Sequence, residues 1–172
     1  MYLGIDNATS GGIVLIDRTG HAHDKWEIPT TYELTKSKKR RNKVDEKLLF
    51  FLIVKICIQY KIKKIFIEKP LIFNTQLATS STWFTFGVYM GIFAAMNLNY
   101  EPITVHSWQK MIGKKFGIRS KTDVKQLAIK FALENSNKPE DWWKRNARCK
   151  IVHDGFTDAY GIAVYGISKL ES

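Results

Sequence analysis

Tyr2-Leu-Gly-Ile-Asp6 is a short apolar run that closes on a carboxylate. Such a run predicts a buried strand. An acid at its end is unusual, because Asp and Glu rarely sit beside a core unless they are paired or bind a metal. The pattern returns in Ile65-Phe-Ile-Glu68. Two more acids, Asp154 and Asp158, stand in His153-Asp-Gly-Phe-Thr-Asp158-Ala, at the head of a helical pattern. Outward from the first strand, Ser10-Gly-Gly12 signals a turn and Ile13-Val-Leu-Ile16 a second strand. Asp17-Arg-Thr-Gly20 is the next turn. A third strand over 22–28 then completes an antiparallel meander.

Farther along, Thr35-Lys-Ser-Lys-Lys-Arg-Arg-Asn-Lys43 is dense in cations, contains no acid and reads as an exposed loop. Residues 44–60 carry apolar side chains at helical spacing. Strand 63–68 follows, ended by Pro70. A second helix is predicted over 77–97, with Gly87 and Gly91 one turn apart on one face. Each glycine costs about 1 kcal/mol relative to Ala in a helix. Close packing of this helix on the sheet is the expected compensation. Pro102–Val105 is a fifth strand. Helices begin at Ser107, Ser120 and about residue 155. This order predicts an α/β fold with a mixed five-stranded sheet flanked by helices, in a single domain over 1–172.

Lys and Arg number 27 against 16 acids, a formal charge of +11. That balance favours an anionic partner, nucleic acid before a membrane surface. Cys57, in an apolar run, reads as a core thiol. With Cys149 as the only other cysteine, there is neither a disulfide framework nor a zinc site. A reducing intracellular compartment, cytoplasmic rather than secretory, is expected. The chain opens directly on a strand, so no signal peptide is expected. No apolar run reaches the ~20 residues of a membrane span. Asn7-Ala-Thr9 matches a glycosylation sequon by chance. The Lys, Ile and Asn richness suits an AT-rich genome, such as that of a phage acting in its host's cytoplasm.

In a mixed sheet of this order the strands ending in Asp6 and Glu68 can be neighbours, and a last helix lying across them can bring up Asp154 and Asp158. Acids gathered there would repel one another by several kcal/mol at low dielectric. Divalent cations relieve this, and oxygen ligands suit Mg²⁺, or Mn²⁺ in its place. Two ions about 3.5–4 Å apart can activate water and stabilise the leaving oxygen of a phosphodiester. Each acid also has an ordinary alternative. Asp6 can cap a turn, Glu68 can pair with Lys69, and Asp154 can be the N-cap of the last helix.

Gly-Ile-Asp6, the strand ending in Ile-Glu68, the Gly87-x-x-x-Gly91 helix, Ser107-Trp-Gln-Lys110 and the terminal Asp158-Ala-x-x-Ile-Ala helix together resemble the RuvC-type Holliday junction resolvases. The phage and plastid variety is nearest, with a last motif His-Asp-Gly-x-x-acid-Ala. The resemblance spans nearly the whole chain in order. It implies the ribonuclease H-like fold and a Mg²⁺-dependent crossover junction endodeoxyribonuclease with two ions per active site. It also implies a homodimer making symmetric nicks in DNA recombination and repair.

Asp6 would bridge both metals, with Glu68 and Asp158 as further ligands. Where bacterial members carry an acid or His three residues before the last acid, this chain has Gly155, so Asp154 or His153 must substitute. His153 could aid the attacking water or be structural. Asn7 stands where the family usually has Pro, with no chemical loss expected. After Glu68, Phe73 and the adjoining Asn74 are implied at the opened junction centre, where Phe73 could stack on a base; a core position is its alternative. Lys38, Lys39, Arg40, Arg41, Lys114, Lys115, Arg119 and Lys121 are candidate phosphate contacts, and Arg145, Arg148 and Lys150 can join them; a solvated charge run would look the same. The aromatic face of helix 77–97, with Trp83, Phe84 and Phe86, would serve as dimer surface or core.

Two other enzyme classes share these features: ribonuclease H-like nucleases acting on RNA–DNA hybrids or forks, and a sugar-kinase or actin-like ATPase half. A non-catalytic junction-binding protein is a third alternative. The chain is short for an ATPase and lacks a Gly-rich phosphate loop.

Overall fold

A computed structural model describes residues 1–34, 38, 40–71, 76–117 and 124–170. The strands are β1 (Tyr2–Asp6), β2 (Gly12–Ile16), β3 (Ala22–Glu27), β4 (Thr30–Leu34), β5 (Arg40–Val44), β6 (Lys64–Lys69) and β7 (Tyr100–Thr104). The helices are α1 (Glu46–Gln59), α2 (Gln76–Ala95), α3 (Val105–Lys115), α4 (Val124–Asn135) and α5 (Asp154–Ser168), with a 3₁₀ turn at Glu140–Trp143. Five strands form one sheet in the order β3-β2-β1-β6-β7. β1 is central, antiparallel to β2 and parallel to β6. The mixed five-stranded sheet and its flanking helices are those predicted from the sequence.

Every residue of β1 and β2 is buried, which fits strands covered on both faces. Side chains alternate between two cores. Leu3, Ile5, Ile65 and Ile67 meet Leu49, Ile53 and Ile56 of α1 and Tyr89 and Phe93 of α2. Tyr2, Phe66 and Ile103 meet Trp108, Phe131 and the buried face of α5. The closest contact in this second layer is α5 on β1. A Cβ on Gly4 would collide with the carbonyl oxygen of Ala159, so only glycine lets the helix backbone rest on the central strand. At the head of α5, a Cβ on Gly155 would lie 2.7 Å from Gly11 Cα, which seats the first turn against the β1–β2 loop.

Two expectations need correction. The segment read as an exposed loop is in part a strand. Arg40–Val44 pairs antiparallel with Thr30–Leu34, in register from Thr30↔Val44 to Leu34↔Arg40. Cross-strand contacts hold this hairpin: Arg40 lies 4.6 Å from the centroid of the Tyr32 ring, and Arg41 reaches Glu33 at 3.4 Å. The strands are largely exposed, so the apolar alternation that marks a half-buried strand is missing from them. The second correction concerns α2. Among the described residues, a Cβ on Gly87 or Gly91 would meet no heavy atom within 4 Å. Both glycines are exposed, and close packing on the sheet does not explain them among the described residues.

Candidate active site

The parallel register of β1 and β6 runs through Ile5↔Ile67, so Asp6 and Glu68 follow at the carboxyl ends of adjacent strands. Alternation sends both to the α5 face, two residues beyond Gly4 and Phe66 respectively. Asp6 is buried and accepts the Ala8 N–H at 3.1 Å, so its carboxylate also caps the loop that follows. Glu68 is partly buried, and no cation pairs with it among the described residues. Its Oε2 accepts the indole N–H of Trp108 at 3.0 Å. Burial, and then the charge of Asp6, push its carboxyl up to about 7, while the indole hydrogen bond pulls the other way. This like-charged pair of hard oxygen donors suits a divalent cation, which would neutralise the repulsion.

α5 supplies the other two acids. Its N-cap is His153, whose side chain makes no capping bond, so Asp154 is the first helical residue rather than the cap. The Asp154 carboxylate accepts the Gly155 N–H at 3.0 Å. Asp158 stands one turn later, next to the Ala159 that touches β1. The fold thus pairs Asp6 with Glu68 and directs the head of α5 at their edge of the sheet. Among the described residues, no three His, Cys, Asp or Glu side chains converge closely enough to hold a metal ion.

His153 has a separate set of contacts. Its Nε2 accepts from Arg145 Nη2 at 2.9 Å, and Arg145 Nε reaches Glu27 Oε2 at 3.1 Å. Arg145 can only donate, so the imidazole proton belongs on Nδ1. Among the described residues that buried nitrogen has no hydrogen-bond partner, and the ring lies 4.4 Å from Phe156. Burial and then the Arg145 charge push the imidazole pKa down, so the ring is neutral at pH 7.

Between the β1–β2 loop and the β4–β5 hairpin opens a polar cleft of about 260 Å³, lined by Thr9, Ser10, Thr30, Asn42 and Arg145 among others; the four acids are not among its lining residues. The hairpin springs from the same edge, because β3 ends at Glu27, opposite Gly12, which itself pairs with Asp6. Its cations Lys38 and Arg40 are exposed. Lys115 is engaged elsewhere. It donates to Asn135 at the end of α4, and the neighbouring Ser136 accepts from Ala22 at the start of β3, the sheet edge remote from the acids. Lys114 precedes it in the same exposed turn. Lys39, Phe73, Asn74, Arg119 and Lys121 lie outside the described residues.

Sequence reasoning overlooked two residues here. Trp108 falls within the Ser107-Trp-Gln-Lys110 motif, which by itself assigns it no role. Asn7 in place of the family's Pro carries no expected chemical loss, yet its side-chain amide donates to the Glu68 carbonyl oxygen at 3.1 Å and the residue is almost wholly buried. The sequon at Asn7 is therefore inaccessible in the folded chain.

No protein-family model matches the chain, and no curated protein matches it. Solved structures do. T. thermophilus RuvC in complex with a Holliday junction substrate aligns with TM-score 0.56 at 10% identity, over 95% of this chain and 90% of that one. A Thermus thermophilus RuvC structure aligns with TM-score 0.59 at 11% identity, over 99% of this chain and 95% of that one. At such identity the likeness is one of fold: the chain has the ribonuclease H-like fold seen in RuvC.

Proposed function

We propose that this chain is a structure-selective endonuclease that resolves four-way DNA junctions by metal-dependent phosphodiester hydrolysis. The observation that carries the reading is the pairing of Asp6 with Glu68 at adjacent strand ends, where burial and mutual repulsion call for a cation. The net charge of +11 and the fold shared with a RuvC solved on a Holliday junction support it.

Asp6 and Glu68 would hold Mg²⁺ or Mn²⁺, with Asp158 and Asp154 as the candidates to complete the set. When bound, a pair of such ions supplies an activated water and charge stabilisation at the leaving oxygen. The chain's own groups position the DNA. Arg40 and Arg41 on the hairpin, with Lys38 and Lys39 just before them in the sequence, would grip phosphates, and the hydroxyl-lined cleft beside Arg145 offers donors for the adjacent backbone. Phe73 is retained as the residue entering the junction centre.

Two symmetric nicks need two active sites, hence a homodimer. α2 is suited to its interface: the whole helix lacks a charged residue, and Trp83, Phe84, Gly87 and Gly91 are exposed along it.

Cleavage of a synthetic four-way junction, beside linear duplex and an RNA–DNA hybrid, tests the reading. The junction should be cut with Mg²⁺ or Mn²⁺ present and spared with EDTA. Asp6→Asn, Glu68→Gln and Asp158→Asn should abolish cleavage yet retain junction binding. Asp154→Asn against His153→Ala should identify which residue answers for Gly155. Preferential cutting of the hybrid would transfer the chain to the RNA-directed class, and binding without cleavage under any metal would make it a junction-binding protein.

A further inference from the structure

We propose that Trp108 is a positioning residue for Glu68: its indole N–H, reaching Oε2 at 3.0 Å, fixes the carboxylate and leaves the second oxygen for the site's ligand.

The placement of Trp108 is built from three elements. β7 lies beside β6, with Ile103 opposite Glu68, and α3 begins as β7 ends. Trp108 is thus one turn above the strand that neighbours Glu68. Only 1% of the residue is exposed, so the indole has no access to alternative water partners. α5 holds the ring from the other side. A Cβ on Gly161 would lie 3.2 Å from Trp108 Cε3 and 3.1 Å from Ile112 Cδ1, so this glycine makes room for the indole. Gly161 follows Asp158 by three residues on the same helix. The indole therefore ties the helix that bears Asp158 to the strand that bears Glu68.

The chemistry is specific to Trp. Indole offers one donor and no acceptor. A buried indole N–H normally finds a partner, and here it is directed at a carboxylate oxygen rather than a backbone carbonyl. Glu has a long, flexible side chain, and fixing it costs rotamer freedom. A hydrogen bond from a clamped ring does that ordering in advance, as outer partners of ligating carboxylates do in metal sites generally. Their loss typically costs 10–100-fold in affinity or activity. Phe could fill most of the same space but would leave the carboxylate unanchored.

The inference rests on the reading of Glu68 as a site carboxylate, and the test separates the two. Wild type, Glu68→Gln, Trp108→Phe and a variant with 3-benzothienylalanine at 108, an isostere lacking the N–H, would be compared. The readouts are single-turnover junction cleavage, junction Kd, Mn²⁺ affinity by calorimetry and melting temperature. Both Trp108 variants should lose about 10–100-fold in cleavage rate and in Mn²⁺ affinity, with junction Kd within about twofold. The isostere should keep the parental melting temperature. If Trp108→Phe does not fold, the isostere decides alone. Cleavage and Mn²⁺ affinity unchanged in the isostere, with Glu68→Gln inactive, would overturn the positioning role while leaving the site intact. Junction affinity and melting temperature falling in step with rate in the isostere would also overturn it, in favour of packing. Full activity in Glu68→Gln would instead remove Glu68 from the mechanism, and the role of Trp108 with it.

Discussion

Asn7 braces the site from behind: its side-chain amide donates to the main-chain oxygen of Glu68 at 3.1 Å, across the point where β1 and β6 end. The bond links the residue after Asp6 directly to the main chain of Glu68, so it fixes the spacing of the two strand ends that carry the acids. Asn7→Ala leaves a carbonyl without this donor in a nearly dry setting, and should cost about 1–2 kcal/mol of stability. Cleavage should fall further than junction binding. Chemical denaturation beside cleavage kinetics checks this; equal stability and rate in the variant would reduce the bond to an incidental contact.

Glu68 makes the metal-free protein sensitive to pH. Its carboxyl is pushed up to about 7 from an ordinary 4.5. Between these values the folded chain keeps a proton that the unfolded chain has released. The group's contribution to stability is therefore full below about 4.5 and is lost as pH rises through about 7. The shift corresponds to on the order of 3 kcal/mol. Denaturation in EDTA should show wild type losing stability relative to Glu68→Gln across this range, and Mg²⁺ should reverse the loss at the alkaline end. Parallel profiles for the two proteins would contradict it.

The hairpin makes a claim about salt. Replacing Lys38, Lys39, Arg40 and Arg41 together by Ala should weaken binding to every DNA tested and flatten its dependence on salt. Each lost phosphate contact should lower the log–log slope by about 0.9. Arg41 is paired with Glu33 at 3.4 Å, so its share should be the smallest of the four. An unchanged slope would mean that the hairpin is only a solvated arm.

Gly87 and Gly91 separate folding from assembly. A Cβ at either position meets no heavy atom within 4 Å among the described residues. Gly87→Leu and Gly91→Leu should therefore fold at least as stably as the parent, since glycine costs about 1 kcal/mol in a helix interior. In a dimer joined through α2 the same side chains would intrude on the partner. Sedimentation velocity should show dimer dissociating to monomer in these variants with melting of the monomer undiminished. A wild-type chain that remains monomeric at high concentration would disprove the interface.

The central strands were legible because each has an apolar core closed by an acid or a turn: Leu3-Gly-Ile5 before Asp6, Ile13–Ile16 before the turn, and Ile65-Phe-Ile67 before Glu68. Asp6 and Glu68 were legible for the same reason, since a carboxylate next to such a run conflicts with its surroundings. The hairpin was not, because its cross-strand contacts join charged and aromatic side chains on an exposed ladder, and no periodicity records them. The orientation of Gly87 and Gly91 was hidden too, because a helix pattern gives their spacing but not which way the pair faces. Trp108, Asn7 and the Arg145–His153 contact depend on residues 40, 61 and 8 positions apart meeting in space. Local sequence determined which segments are strands and which acids are out of place. Only the tertiary packing, with α5 drawn onto β1 by Gly4 and α3 set above β6, decided which groups surround those acids and in what state they hold them.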